Sequence, residues 1–366
     1  MINHIQRFLI LVLLLGAVLT ACAPGATVQD STEPPIASTS TLPDATSQSI
    51  VTEEPTVLPP SEPIKLKVLV LPYLSYAPFF IAQEEGLFEE QGLDVEFLRI
   101  DDSGEFTPAL AQGQLDVAAD MLSVGTLNAI AQGSKIKYVA DKGYLDPAGC
   151  TYTGWAIRKD LLESGVLNDL KNLAGMKVST SATTSGEFLL DMVLKDVGLS
   201  SEDVEIIDLP PPARLEALKT GAIDIASVAE PWNTRIMNEG AGDIWKGWED
   251  IFPNFELSMI IFGPTLLEKN PEAGKRFMVA YLKAVDLYNQ GKTDRNVEII
   301  SKYTELPPET VKQACWQTIK ADGSINSQSI LDFQDWAIAK GYQDSALNLE
   351  ELWDSTYINY ANQVLK

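Results

Sequence analysis

The feature that most constrains this chain is an internal repeat. Lys67-Val68-Leu69-Val70-Leu71 reads as a strand, followed by a Pro/Ser loop and a helix reaching Glu90. Asp94-Val95-Glu96-Phe97-Leu98 reads as a second strand, and a helix through Pro108 to Gln112 follows. That helix runs out in Leu110 to Ala118, with Gly113, Leu115 and Asp116 inside it. The order then returns: a strand at Met176-Lys177-Val178-Ser179-Thr180, a Ser/Thr loop, and a helix from Glu187 to Val197. Asp203 to Ile207 and a helix ending in Leu218 to Ala226, with Gly221, Ile223 and Asp224, complete the copy. Lys67 and Lys177 are 110 residues apart, Asp94 and Asp203 are 109, Gly113 and Gly221 are 108. Spacing this constant implies two strand–helix–strand–helix–strand units. A glycine ends the second helix of each because a helix commonly closes on a residue with positive φ. The expected fold is α/β: two similar lobes with mostly parallel sheets and a ligand cleft between them. Open α/β sheets bind ligands beyond the carboxyl ends of their strands.

The segment before the repeat has a different character. Arg7 precedes an apolar run, Phe8 to Leu15, and then Gly16-Ala17-Val18-Leu19-Thr20-Ala21-Cys22. A basic start, a short apolar core and small residues describe a secretory signal, and the run is too short to span a bilayer. Leu19-Thr20-Ala21-Cys22 resembles the lipobox of bacterial lipoproteins, which implies cleavage before Cys22 and acylation (palmitate or a related chain) of that cysteine. The alternative is an ordinary signal peptide with a chance cysteine. Residues 22–64 hold eight prolines, six acids and no Lys or Arg. Such a stretch buries too little apolar surface to offset its ordering entropy, so it reads as a mobile tether. The expected organisation is signal peptide 1–21, lipid-anchored linker 22–64 and solute-binding domain 65–366. Lobe one covers about 65–150 plus helices within 256–366, and lobe two about 155–255.

Charge and histidine count narrow the function. The chain carries 27 Lys+Arg against 51 Asp+Glu, a net charge of -24, and one histidine. Nucleic acid is excluded as the expected partner, because phosphate binding needs clustered cations. That histidine is His4, inside the expected signal, so the mature chain would have none. Ser-His-Asp and Cys-His catalysis and His-ligated metal are thereby excluded, and neither a metal nor a cofactor is expected. Asp, Glu or Lys chemistry survives that exclusion.

At Ser75-Tyr76-Ala77-Pro78-Phe79-Phe80-Ile81-Ala82, Glu85-Gly86-Leu87-Phe88, Gly92-Leu93-Asp94-Val95, the two Gly-containing runs and Glu230-Pro231-Trp232, the sequence resembles a known family. It is similar to the solute-binding lipoproteins of bacterial ABC importers with the type 2 periplasmic-binding-protein fold. The group in question takes sulfonates, nitrate, thiamine pyrimidine precursors and riboflavin. The resemblance spans roughly residues 66–290. It implies a non-enzymatic monomer, anchored by lipid on the outer side of the cell membrane, that passes a small-molecule ligand to a membrane permease. A fungal enzyme that makes the thiamine pyrimidine shares the fold; that chemistry, as the resemblance implies, needs a histidine and a cysteine-rich motif. A lipoprotein that senses the same ligand for a receptor kinase is a further alternative.

By the carboxyl-end rule four loops face the cleft: 72–78, 119–124, 181–186 and 228–232. Tyr73, Ser75 and Tyr76 open a helix and are candidates for stacking or hydrogen bonding; the plain alternative is half-buried loop aromatics. Thr183 and Ser185 precede a helix and read either as ligand contacts or as caps. Asp120, Ser123 and Glu230 follow the last strand of each repeat, as cleft groups or as solvated rim residues. Thr153 and Trp155 lie on the expected crossing segment, and Trp155 and Trp232 read as ring platforms or as core. None of the four loops contains Lys or Arg, which favours a neutral, planar heterocycle such as riboflavin or a thiamine pyrimidine precursor over sulfonate, taurine or nitrate. Cys150 and Cys315 lie 165 residues apart, and sequence leaves open whether they pair. The expected mechanism is capture: ligand contacts both lobes only when they close.

Overall fold

The computed structural model describes residues 62–99 and 106–366. Cys22, the signal segment and nearly all of the linker lie outside the described residues. Lobe one begins β1 (Ile64–Leu69), α1 (Ala77–Glu84), α2 (Leu87–Glu90), β2 (Leu93–Leu98) and α3 (Phe106–Ala111). It continues with β3 (Val117–Met121), α4 (Val124–Ala131) and β4 (Lys137–Tyr144). The chain then crosses to lobe two: β5 (Thr153–Arg158), α5 (Lys159–Ser164), β6 (Lys177–Ser179), α6 (Ser185–Asp196), β7 (Glu205–Ile207) and α7 (Pro211–Thr220). β8 (Ile225–Ala229), α8 (Trp232–Asn238) and β9 (Gly242–Gly247) complete it. The return strand β10 (Glu256–Phe262) precedes α9 (Pro271–Tyr288), α10 (Asp294–Thr304), α11 (Pro308–Gln313), α12 (Ser327–Ala339), α13 (Leu349–Leu352) and α14 (Thr356–Val364).

The two sheets run β2-β1-β3-β10-β4 and β7-β6-β8-β5-β9, so the sequence repeat is a repeat of topology. The sheets are mostly parallel, as expected, with one reversed strand in each. Four strands of each sheet run in one direction, and the inserted strand, fourth in order, runs antiparallel to both of its neighbours. β10 inserts into lobe one and β5 into lobe two, because each crossing enters its new sheet from the cleft side. β2 keeps the alternation of an edge strand, with Leu93 and Val95 buried and Asp94 and Glu96 exposed. β10, fourth of five, is buried along its whole length.

The repeated glycine and aspartate each have a place in this junction. Gly113 and Gly221 have φ of +71° and +73°, a conformation that favours glycine. Asp116 then binds three strands. Its N–H donates to Lys67 O at 2.9 Å, its carbonyl accepts from Gly263 N–H at 3.0 Å, and Oδ2 accepts from Lys67 N–H at 2.8 Å. Asp224 does the same with Lys177 O (2.9 Å), Arg158 N–H (3.0 Å) and Lys177 N–H (3.0 Å).

Helices α9, α10 and α14 pack on lobe one. Phe79 of α1 meets Phe277 and Tyr281 of α9 there. α12 behaves differently, since it touches α4 and β10 of lobe one and α6 of lobe two. Phe188 of α6 stacks on Phe255 at 5.6 Å and meets Phe333 and Trp336 of α12 edge-on. One apolar core therefore continues from lobe one into lobe two.

Replacing Asp116 by Ala leaves the Lys67 N–H without its acceptor in a buried junction. Denaturant unfolding should show a loss of about 1–3 kcal/mol, and Asp116→Asn, which keeps an acceptor oxygen, should lose less.

Candidate functional site

Between the lobes lies a cavity of about 1620 Å³. Its lining combines the loops after β1, β3, β6 and β8, as the carboxyl-end rule requires, with residues of β4 and α7. On one edge the lobes already touch. Val124 N–H donates to Thr183 O and Ser185 N–H to Leu122 O, both at 2.9 Å, giving an isolated bridge between Ser123 and Thr184.

Of the residues expected at the cleft, Tyr73, Ser75, Tyr76, Asp120, Ser123, Thr153, Thr183 and Trp232 line this cavity. Ser123 also caps α4, accepting from Thr126 N–H at 3.3 Å. Thr183 has φ +56°, unusual for a residue with a Cβ, and its N–H donates to Glu187 Oε2 at 2.7 Å. The α6 cap itself is Thr184. Trp232 opens α8, with the Arg235 guanidinium 4.5 Å from its ring centroid.

Three expected residues stand outside the lining. Trp155 is 1% exposed and packs on Trp248 (5.4 Å) and Trp245 (6.3 Å). It lies two residues deeper along β5 than Thr153, and Trp248, rather than Trp155, reaches the cavity. Ser185 is buried at the first turn of α6, its backbone committed to the lobe bridge. Glu230 is buried behind the cleft. Its carboxylate accepts from Thr234 N–H (3.1 Å), Thr234 Oγ1–H (2.9 Å) and Cys315 N–H (3.1 Å), which makes it a tie between α8 and the C-terminal region.

Three cations that the loop inventory missed line the cleft: Lys142, Arg214 and Arg235, the last beside Trp232. Lys142, in the middle of β4, is 3% exposed. Its Nζ donates to Ser75 Oγ at 2.9 Å and sits 4.0 Å from the Tyr76 ring centroid, with no ion-pair partner among the described residues. Burial lowers its pKa to about 8, against the raising influence of Asp120 and Asp141. Arg214, on α7, is 5% exposed. It donates to Leu209 O (2.7 Å), Ser227 O (2.7 Å), Ser227 Oγ (3.0 Å) and Ser181 Oγ (2.9 Å), joining the loops after β6 and before α7 to strand β8. Asp120 is the half-buried acid opposite. Burial raises its pKa to about 6, although Met121 N–H and the Lys142 charge pull it down. Strand interiors and helix faces supplied these cations, so a search of loops alone could not find them. Asp141 and Lys142 stand in a strand that the structure buries over most of its length, where a charge demands a partner.

Cys150 and Cys315 form a disulfide, with Cα atoms 5.8 Å apart, that joins the first crossing segment to the loop before α12. That answers the question the sequence left open.

The model for the NMT1-like family matches residues 59–301. The chain belongs to the NMT1-like family. A Bacillus subtilis relative named for binding aliphatic sulfonates is 26% identical over 78% of this chain and 85% of its own. A Saccharomyces cerevisiae relative, named as a 4-amino-5-hydroxymethyl-2-methylpyrimidine phosphate synthase, is 24% identical over 78% of this chain and 83% of its own. Among solved structures, the periplasmic nitrate-binding protein of Synechocystis superposes with a TM-score of 0.68 at 17% identity, over 83% of this chain and 90% of that one. The periplasmic-binding-protein fold expected from the sequence is thus the fold of this NMT1-like chain, and its relatives include both binding proteins and an enzyme.

Because Trp155 is interior, Trp155→Ala should cost about 3–5 kcal/mol of stability in denaturant unfolding, as expected for a large ring removed from a core.

Proposed function

We propose that this NMT1-like protein captures a small anionic solute of the sulfonate or nitrate type and presents it to an ABC permease. The observation that carries the reading is Lys142. A buried ammonium held by one hydroxyl and one ring face is costly, and a bound anion would offset that cost. Arg214 adds a second positive group from lobe two, so an anion in the cleft would meet charge from both lobes. The name of the Bacillus subtilis relative supports the same class. This reverses the preference for a neutral heterocycle, which rested on loops without Lys or Arg.

Capture without chemistry is part of the proposal. The chain's single histidine, His4, is in the expected signal segment, and Cys150 and Cys315 are spent on each other. A monomeric head, tethered through lipid on Cys22 to the outer face of the cell membrane, completes the reading. A sensory role would use the same head and cleft.

The charges predict a pH profile. Ethanesulfonate stays anionic throughout, so only the protein titrates. As pH falls through about 6, Asp120 is protonated and its repulsion is lost, which strengthens binding. As pH rises through about 8, Lys142 loses its proton and binding weakens. Calorimetric affinity for ethanesulfonate should therefore fall from pH 5 to pH 9 in two steps. Lys142→Met should remove the upper step and lower affinity at pH 7 by about tenfold or more, roughly the value of one charge-assisted contact. Tighter binding of riboflavin than of any anion, indifferent to Lys142→Met, would return the site to a neutral ligand.

A further inference from the structure

We infer that the solute carries a bulky aromatic body on its anionic head, an inference that rests on the anion reading above and deepens it. The first observation is size. A cavity of about 1620 Å³ is larger than the roughly 300–1,000 Å³ common for sites that hold drug-sized ligands. Leu122–Val124 and Thr183–Ser185 are already hydrogen-bonded across one edge, and α12 spans the neighbouring α4 and α6. Nitrate, or a sulfonate with two carbons, would leave nearly all of this space to water.

The second observation is what the walls are made of. Lys142 and Ser75 supply the anion's partners, while much of the rest is apolar. Leu71 and Pro72 come from lobe one, Leu209, Pro211 and Trp232 from lobe two, and Leu306 from the C-terminal region. Water against that surface is displaced favourably by an apolar body long enough to reach both lobes. Lys142 sits on lobe one, and an apolar body on the same ligand would add contacts with Leu209, Pro211 and Trp232 of lobe two.

The third observation is shape. Proline and tryptophan present flat, stiff surfaces, and residues 210–212 are three prolines in succession. Rings stack well on such surfaces, and a planar ring has no rotamers to lose on binding, whereas a flexible alkyl tail would lose several. The class that follows is an aryl or fused-ring anion, with a sulfonate or comparable oxyanion at one end.

Calorimetry on the full chain at pH 7 tests the inference with four probes: naphthalenesulfonate, ethanesulfonate, nitrate and neutral naphthalenesulfonamide. Naphthalenesulfonate should bind at least tenfold more tightly than each of the other three. Trp232→Ala, at a half-buried position, should weaken naphthalenesulfonate by about tenfold, a larger factor than for ethanesulfonate, with an unchanged melting curve confirming the fold. Ethanesulfonate or nitrate binding as tightly as naphthalenesulfonate would overturn the aromatic body and leave the anion reading intact. Naphthalenesulfonamide binding as tightly as naphthalenesulfonate would do the opposite. Binding of none of the four would overturn both.

Discussion

Three strands of each lobe meet at one aspartate, and the cleft depends on that junction. Asp116 holds β1 through its backbone N–H and its carboxylate, while its carbonyl takes the N–H of Gly263 just after the inserted strand β10. Asp224 repeats the arrangement with β6 and with Arg158 at the end of β5. Each lobe contains a strand that belongs, in chain order, to the other half of the molecule. The junction fixes where that foreign strand lies, and so fixes the two crossings that form the cleft's back wall. Lys142 on β4 and Thr153 on β5 reach the cavity because they flank the first of these crossings. The disulfide from Cys150 and the carboxylate of Glu230 tie the C-terminal region to the same wall.

The repeat, the glycine turns and the carboxyl-end loops were legible in the sequence because they are local or periodic. Positive φ at Gly113 and Gly221 needs only a helix end, and constant spacing needs only counting. Lys142 and Arg214 were not legible for the opposite reason. Their place in the cleft depends on which strand lies beside β10 and which face α7 turns to β8. Trp155 and Trp248 illustrate the same limit. Both are aromatic residues near the crossing, and only the packed sheet decides which covers the other. Ser185 and Glu230 lay within the right loops, yet the first turn of α6 and the cap of α8 used them internally. Loop membership therefore located the cavity lining to within a residue or two, and tertiary packing chose among neighbours.

Net charge misleads here in an instructive way. A chain at -24 looks hostile to the anion proposed for the cleft. Surface carboxylates more than a screening length of about 8 Å from the cleft contribute little at physiological salt. Lys142 acts from a buried position, where its field is weakened far less. The relevant balance is local: Lys142, Arg214 and Arg235 against the half-buried Asp120 and the exposed Asp208. Global charge remains a sound argument against nucleic acid, because polyanion binding needs cations spread over an extended surface. It is a poor guide to a pocket a few residues wide.

The edge contact between the lobes bears on how capture would couple to shape. Two backbone hydrogen bonds and the shared Phe188–Phe255–Phe333–Trp336 cluster join the lobes along α4, α6 and α12. Full separation would expose that cluster to water and leave four backbone groups to be solvated. Motion that keeps this edge together, with the lobes parting on the opposite side, preserves both. A ligand then favours closure only through groups that differ in contact between the two states, since binding equally to both shifts nothing. Lys142 and Ser75 on one side, and Arg214, Leu209 and Trp232 on the other, are placed to make that difference. Thr183 lies where the two requirements meet. Its left-handed backbone is unfavourable by itself, and it is held by Glu187 on its own lobe and by Val124 on the other. The bridge therefore does more than close a gap: part of the local conformation of the lobe-two loop is stabilised by the opposite lobe.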